Sequence, residues 1–262
     1  MLFVLKMTPT SKKVCAITGS SSGIGAASAE LFAQRGWDIC INYSRHRERA
    51  EAVARICRAH GAEVVVECAD VSDNAQCLAM AAQVEQRFGR CDALVNNAGT
   101  TKFVDIKDLD GLSAEDFQHV FAINVIGAYQ MTRAFAPMLK RQPGAGVIMV
   151  SSVASLLAAG SSTAYIVSKG ALNTLTQVLA RALGPQVRVN AVAPGMVNST
   201  WLQQGLGPER FAMAKQSYET AAALASLVMP HDVAEMIFWL AAGALKTTGE
   251  IQVVDAGRRI GR

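Results

Sequence analysis

An apolar run, a glycine-rich turn and an alanine-rich segment follow one another near the start of the chain, and this order restricts the fold most. Residues 14–18 read Val-Cys-Ala-Ile-Thr, and residues 19–25 read Gly-Ser-Ser-Ser-Gly-Ile-Gly. A continuous apolar run of this kind is typical of a buried parallel strand. Gly19 permits a tight turn, while Gly23 and Gly25 let the backbone approach a pyrophosphate at a helix N-terminus. The pattern predicts a dinucleotide site, with an ordinary flexible loop as the alternative.

Further apolar runs recur along the chain and predict more strands. They span residues 38–43, 62–68, 91–97, 147–150, 187–192 and 248–257. Strands that alternate with helical segments are typical of a parallel sheet covered on both faces. The 262 residues are 51% hydrophobic, which is enough to bury one large core. We therefore predict an α/β fold: a single doubly wound Rossmann-type domain over residues 1–262, with a seven-stranded parallel sheet and helices on both faces.

A tyrosine and a lysine four residues apart form the chain's most suggestive pair of reactive side chains. Tyr165 and Lys169 leave the same face if they lie on a helix. A neighbouring ammonium favours the phenolate and lowers the pKa of the phenol, so such a pair can exchange protons near pH 7. Ser152 follows the apolar run 147–150, and its hydroxyl is placed to orient a substrate oxygen beside Tyr165. The alternative is a half-buried tyrosine next to a solvated lysine.

The cysteines and histidines argue against metal binding and disulfides. No two of the six cysteines form a C-x-x-C pair, and Cys15, Cys40 and Cys68 lie in apolar runs. We expect small buried hydrophobic side chains in a reducing compartment, rather than disulfides or metal ligands. The four histidines show no ligand spacing, so no metal is predicted.

Charge and hydropathy exclude two classes of partner. The net charge is +4 with lysine and arginine scattered, so no nucleic-acid surface is expected. No segment is long enough to span a membrane. The apolar run in residues 1–7 is too short for the core of a signal peptide, and Met7 is an alternative start. These features predict a cytoplasmic protein.

Three motifs occurring together resemble those of the short-chain dehydrogenase/reductase superfamily. They are Gly19-x-x-x-Gly23-x-Gly25, the run Asn-Asn-Ala-Gly at residues 96–99, and Tyr165-x-x-x-Lys169. The resemblance covers nearly the whole chain and implies hydride transfer between a nicotinamide and a carbonyl or secondary alcohol. Within the superfamily, 3-oxoacyl-[acyl-carrier-protein] reductases are one such group. Reduction of a 3-oxoacyl group on a carrier protein is therefore one option, and reduction of another small-molecule carbonyl is the other.

The resemblance also implies four catalytic residues. They are Asn124, Ser152, Tyr165 and Lys169. It gives Tyr165 the role of proton donor and Ser152 that of orienting the substrate oxygen. Lys169 binds the nicotinamide ribose and lowers the pKa of Tyr165, and Asn124 supports a proton relay. Ser152 is chosen because it precedes Tyr165 by the usual separation, and Ser151 is the alternative if the register slips.

Cofactor contacts follow from the same resemblance and from local charge. The expected set comprises Gly19, Ser21, Ser22, Gly23, Ile24, Gly25, Tyr43, Ser44, Arg45, Asp70, Val71, Asn97, Ala98, Gly99, Tyr165, Lys169, Pro194, Gly195, Val197 and Ser199. No carboxylate follows the second strand until Glu48, whereas Arg45 is placed to meet a 2′-phosphate. We therefore predict NADP as the preferred cofactor, with NAD as the alternative. Asp70 has the further alternative of capping the helix that starts near Asp73.

The rest of the second half predicts the substrate cover and the assembly. Residues 196–229 are expected to form a lid over the substrate, by resemblance. The segment 154–162 is small and apolar without lysine or arginine, which favours a neutral or apolar carbonyl substrate. The closing strand at residues 248–257 implies, by resemblance, a homotetramer or homodimer. The alternatives to an NADP-dependent reductase are an NAD-dependent alcohol dehydrogenase of the same family and a non-catalytic dinucleotide-binding sensor or scaffold.

Overall fold

A computed structural model describes residues 12–261 of the chain. The expectations about residues 1–7 and the possible start at Met7 lie outside the described residues. Within the described range, no helix is both long and apolar enough to cross a membrane.

One parallel sheet organises the described residues. Its strands are β1 (Val14–Ile17), β2 (Asp38–Tyr43), β3 (Val64–Cys68), β4 (Ala93–Asn96), β5 (Gly146–Val150), β6 (Arg188–Pro194) and β7 (Ile251–Val254). Their order across the sheet is β3-β2-β1-β4-β5-β6-β7, and every neighbouring pair is parallel. The order reverses between β1 and β4, which opens a crevice at the carboxyl ends of these strands. The predicted seven-stranded, doubly wound α/β fold is confirmed.

Helices connect the strands and cover both faces. They are α1 (Gly23–Gln34), α2 (Arg47–Ala59), α3 (Asn74–Phe88), α4 (Ala114–Phe121), α5 (Ala128–Leu139), α6 (Ala154–Leu157), α7 (Thr163–Leu183), α8 (Thr200–Leu206), α9 (Pro208–Ala221) and α10 (Pro230–Phe238). A π-helical segment, Ala122–Gly127, joins α4 to α5, and a second one, Trp239–Gly243, follows α10.

Two apolar cores lie on opposite faces of the sheet. Alternate residues of a strand point to opposite faces, so Val14 and Ala16 join the core that contains α3, α5 and α7. Cys15 and Ile17 join the core that contains α1, α2 and α10. Because both faces are covered, the strands are apolar without alternation, as expected for a parallel sheet.

Several boundaries differ from the prediction. β3, β4 and β7 are shorter than the apolar runs that predicted them, whereas β6 continues to Pro194. Cys68 is exposed rather than buried, because it ends β3 at the edge of the sheet. The cap of α3 is Asp73, whose carboxylate accepts the Ala75 N–H at 2.8 Å. The alternative role of Asp70 as that cap is therefore wrong, and its carboxylate binds Ser72 instead.

Candidate active site

The glycine-rich turn follows β1 at the crevice, and two of its glycines are required by close contacts. Gly19 has φ +60°, and a Cβ there would lie 3.0 Å from the Ala98 backbone. A Cβ on Gly25 would lie 2.6 Å from Asn97 Nδ2 and 2.7 Å from the Gly19 carbonyl oxygen. Gly25 therefore allows α1 to pack closely against the turn, and its expected approach to a phosphate stays a prediction. Gly23 has φ +56° and faces open space, since an added Cβ would meet no atom within 4 Å.

The N-terminus of α1 points its first amides out of the turn. Its first backbone hydrogen bond runs from the Ala26 N–H to the Ser22 carbonyl at 3.1 Å, so three N–H groups precede it without a helical partner. The cap residue Ser22 makes no side-chain capping bond, and the first turn contains no acidic residue. These amides, in Gly23, Ile24 and Gly25, together with the helix dipole, suit an anionic group. Ser21 and Ser22 lie half-buried beside them.

Two asparagines hold the turn in place. Asn97 Nδ2 donates to the carbonyl oxygens of Thr18 and Gly19 at 2.9 and 3.0 Å. Asn42 Oδ1 accepts the Gly19 N–H at 3.0 Å. The Asn97 Nδ2 therefore supports the turn, and the expected direct contact of Asn97 with the cofactor stays a prediction. Asn42 was missed by sequence reasoning, although a buried polar residue inside an apolar strand was the signal for it.

The expected adenosine contacts lie at the carboxyl ends of β2 and β3. Tyr43 ends β2 and is half-buried, and the following Ser44 and Arg45 are exposed. Asp70 is exposed just after β3, and the neighbouring Val71 is 5% exposed. The structure thus brings these five residues together at the carboxyl ends of β2 and β3. The guanidinium of Arg45 faces solvent there.

Tyr165 and Lys169 occupy one face of α7, next to the end of β5. The Lys169 Nζ lies 5.5 Å from the centre of the Tyr165 ring and donates to the Val150 carbonyl at 2.8 Å. Lys169 is only 4% exposed, and this burial lowers the pKa of its ammonium to about 8. Burial likewise raises the pKa of the Tyr165 phenol, and a hydrogen bond with Ser152 lowers it in part. The pKa of Tyr165 thus shifts upward, opposite to the direction expected from a neighbouring ammonium.

The two serines after β5 have different partners. Ser152 is half-buried, and its side chain forms the hydrogen bond with Tyr165 and accepts the Ala154 N–H at 3.1 Å. Ser151 is buried, and its hydroxyl donates to Asn173 Oδ1 at 2.6 Å. The geometry therefore favours Ser152 over Ser151 as the hydroxyl beside Tyr165.

Asn124 lies in the π-helical segment between α4 and α5, where its side chain is buried. Its Oδ1 accepts the Thr100 N–H at 2.8 Å, and its Nδ2 donates to the Thr100 carbonyl and to the Ser168 hydroxyl, both at 3.0 Å. A Cβ on Gly99 would lie 3.4 Å from Asn124 Oδ1 and 3.6 Å from Lys169 Nζ. The side chains of Asn124 and Lys169 therefore both lie close to Gly99.

The segment after β6 completes the crevice. Pro194 ends β6, and the Gly195 N–H donates to the Val254 carbonyl at 2.8 Å. Val197 pairs with Val228 in a parallel bridge whose bonds come from the residues on either side of Val197. The Val197 N–H and carbonyl therefore face away from Val228 and are available to a ligand. Ser199 caps α8, accepting the Leu202 N–H at 3.5 Å, which gives its hydroxyl a structural role.

The predicted lid, residues 196–229, contains α8 and α9. One anchor is Tyr218, whose hydroxyl donates to the Asp255 carbonyl at 2.7 Å. Residues 12–261 contain no group of three or more histidine, cysteine, aspartate or glutamate side chains arranged to hold a metal ion.

Known proteins resemble the chain over nearly its full length. Residues 19–259 match the family model described as enoyl-(acyl carrier protein) reductase. A ketoacyl reductase named for the granaticin polyketide synthase of Streptomyces violaceoruber is 37% identical over 247 residues, or 94% of this chain and 96% of that protein. A 3-oxoacyl-[acyl-carrier-protein] reductase of Thermotoga maritima is 31% identical over 250 residues, covering 94% and 97%. A solved short-chain dehydrogenase/reductase structure from Burkholderia xenovorans is 40% identical with a TM-score of 0.88, covering 96% and 100%.

Proposed function

Because this chain belongs to the short-chain dehydrogenase/reductase superfamily of NAD(P)-dependent oxidoreductases, we propose that it reduces a carbonyl group of a small molecule with NADPH. One observation supports this most strongly. The Tyr165 phenol, the Ser152 hydroxyl and the buried Lys169 ammonium lie together at the end of β5, beside the glycine-rich turn. A proton donor, an orienting hydroxyl and a cation at one edge of the sheet suit reduction of a carbonyl.

The residues around the crevice fit a dinucleotide. The free amides at the start of α1 and the open space at Gly23 suit the pyrophosphate. The Val197 backbone suits the carboxamide, with Ala98, Gly99, Pro194 and Gly195 lining the same edge. When bound, the nicotinamide supplies or accepts the hydride.

The chain's own residues move the proton. Tyr165 gives its hydroxyl proton to the carbonyl oxygen as the carbon receives the hydride, so that the carbonyl becomes an alcohol. Ser152 donates a hydrogen bond to the same oxygen. A lysine whose pKa is about 8 exchanges protons near neutral pH, so Lys169 is suited to return a proton towards Tyr165. Asn124, whose Nδ2 donates to the hydroxyl of Ser168 next to Lys169, is proposed to support this proton relay. The reverse sequence oxidises a secondary alcohol.

The preference for NADP depends on Arg45. Its guanidinium is exposed where β2 ends, and a 2′-phosphate there would gain charge-assisted hydrogen bonds. We expect Arg45→Ala to raise the KM for NADPH about tenfold or more, with little effect on the KM for NADH. Arg55→Ala, which removes an exposed arginine further along α2, is the matched control. A lower KM for NADH than for NADPH in the wild type would instead favour the NAD-dependent alcohol dehydrogenase.

The substrate class is tested by NADPH oxidation with a panel of ketones, β-ketoacyl thioesters, quinones and sugars. The carrier-protein option follows from the names of the relatives, and it predicts that β-ketoacyl thioesters are the best substrates. The apolar segment 154–162 favours neutral ketones. Tight NADPH binding without turnover of any carbonyl would support the non-catalytic sensor instead.

Domain organisation, location and assembly complete the proposal. We infer one domain over the whole chain, with residues 196–229 as the substrate lid. The six free cysteines, five of them buried, support a reducing cytoplasmic compartment. A homotetramer or homodimer is proposed from the superfamily resemblance, and light scattering on the purified protein measures it.

A further inference from the structure

An exposed tryptophan stands beside the proposed proton donor. Trp201 lies on α8, and its ring centre is 6.5 Å from that of Tyr165, with the two planes inclined by 41°. The indole is 44% exposed, although it is a large apolar side chain next to a half-buried phenol. Part of this indole is therefore accessible close to Tyr165.

A second ring supports Trp201 from the other side. The Phe103 ring centre lies 5.8 Å from that of Trp201, within the range of a favourable aromatic pair. A Cβ on Gly205, one turn after Trp201, would overlap the Phe103 ring. Phe103 therefore lies directly against the backbone of α8, and this contact fixes the helix and its indole.

Hydrogen bonds tie Phe103 to the approach of α7. The N–H of the next residue, Val104, donates to the Ser161 carbonyl at 2.9 Å. The hydroxyls of Thr101 and Ser161 lie 2.8 Å apart. The segment that carries Phe103 is thus bonded to Ser161, just before the helix that carries Tyr165. Because Phe103 also packs against α8, these contacts define where the Trp201 indole lies relative to the Tyr165 hydroxyl.

The adjoining wall is also apolar. Residues 154–162 contain no charged side chain, and Leu156 and Leu157 are 44% and 38% exposed. A molecule whose carbonyl is bonded to Tyr165 and Ser152 lies beside the Trp201 indole, and the exposed leucines follow Ser152 by four and five residues. Such surroundings stabilise an apolar ring system and penalise a charged one.

Building on the proposed carbonyl reduction, we propose that Trp201, supported by Phe103, is a specificity-determining residue that selects ketones carrying a planar aromatic ring. A flat ring stacks on the indole face, whereas a saturated ring of the same skeleton contacts it only through its hydrogens. Stacking favours the aromatic ketone beyond its buried area. Truncating the indole therefore lowers the preference for aromatic over saturated ketones.

The test compares 2-tetralone and 2-decalone, which share a bicyclic skeleton and differ in the aromatic ring. The measured quantity is the ratio of their kcat/KM values with NADPH. We expect this ratio to fall about two- to tenfold in Trp201→Leu, mainly through the KM for 2-tetralone. Trp201→Phe, which keeps an aromatic face, retains most of the preference. Trp239→Leu is the matched control, because Trp239 is 47% exposed but lies in the π-helical segment after α10.

Several results would overturn the inference. An unchanged ratio in Trp201→Leu, or an equal fall in Trp239→Leu, would show that the indole does not select the ring. A wild type that reduces both ketones equally well would do the same while leaving the proposed reduction intact. A wild type that reduces neither ketone, and no other carbonyl, would refute the reduction itself. In that case, titration calorimetry with NADP⁺ present tests whether the Trp201 indole prefers an aromatic ring. Equal affinities for 2-tetralone and 2-decalone would refute this preference.

Discussion

Ser151 and Ser152 are neighbours in the chain, but they belong to different hydrogen-bond networks. The Ser152 hydroxyl faces Tyr165, whereas the Ser151 hydroxyl is bonded to Asn173 on α7. We expect Ser152→Ala to lower kcat about a hundredfold, because the developing alkoxide loses a donor. We expect Ser151→Ala to leave kcat nearly unchanged and to lower the free energy of unfolding by about 1 kcal/mol. Steady-state kinetics and urea unfolding on both variants separate the two roles.

The reverse pattern would contradict this assignment. If Ser151→Ala abolished turnover and Ser152→Ala did not, the register after β5 would place the other serine at the reacting oxygen.

The buried Lys169 makes the free energy of unfolding depend on pH, and the sign of this dependence follows from the shift of its pKa. Its pKa falls to about 8 in the folded protein, below the value of about 10.4 for an unfolded chain. Between these values the unfolded state binds more protons, so this group makes the free energy of unfolding rise with pH. The cost of burying the ammonium is fully present below pH 8. The stability advantage of Lys169→Met over the cofactor-free wild type should therefore shrink by up to about 3 kcal/mol as pH rises from 8 to 10.5.

Urea unfolding at several pH values measures this difference. Lys246→Met, which removes an exposed lysine, is the control and should show no such trend. A pH-independent difference for Lys169→Met would mean that the ammonium is not desolvated.

At the scale of single residues, the sequence predicted which side chains belong to the site better than it predicted their contacts and pKa shifts. The spacing of Tyr165 and Lys169 put them on one helical face because helical geometry is local. The upward shift of the Tyr165 pKa and the contact of Phe103 with Gly205 were not predictable, because burial and packing depend on segments distant in sequence. The position of Trp201 beside Tyr165 was not predictable for the same reason.

The position of α1 against the glycine-rich turn after β1 depends on the absence of a side chain at Gly25. A Cβ on Gly25 would approach Asn97 Nδ2, the Gly19 carbonyl and the Ser20 backbone within 2.8 Å. Two of these three are backbone atoms that cannot rotate away. Gly25→Ala is therefore expected to lower the free energy of unfolding by about 2–3 kcal/mol and to weaken NADPH binding by displacing the turn.

Gly170→Ala is the control for helical glycines. Gly170 lies on α7 with nothing within 4 Å of an added Cβ, so alanine should be neutral or stabilise by up to about 1 kcal/mol. Thermal unfolding and NADPH titration compare the two variants. Normal stability and cofactor affinity in Gly25→Ala would refute the packing role.

The apolar runs predicted the bounds of some strands well. The predictions were poorer where contacts between distant segments determine the local structure. β2 matches its run and β1 ends one residue before the end of its run, and both strands pair with a neighbour on each side. Between α4 and α5 the chain forms a π-helical segment that contains Asn124, and no local sequence pattern predicted it. The side chain of Asn124 bonds to Thr100, a contact that no pattern within the helix reveals.

At the scale of the molecule, strand order decides which distant residues meet. The reversal between β1 and β4 brings the glycine-rich turn, the Asn97 loop and the end of β5 to one edge of the sheet. The motifs predicted this convergence through the fold they implied. Asn42 was recognisable as a polar residue inside an apolar run, but its bond to the turn became visible only once β1 and β2 were paired.

The most direct test of the proposed reduction follows the hydride itself. The protein is given NADPH carrying deuterium at both C4 positions, with the ketone that it reduces fastest, and the alcohol is analysed by mass spectrometry. We predict one deuterium at the carbinol carbon with the wild type. In Tyr165→Phe the same product should form at least about a hundredfold more slowly with NADPH affinity unchanged. Alcohol without deuterium, or Tyr165→Phe turnover at the wild-type rate, would contradict the proposed mechanism.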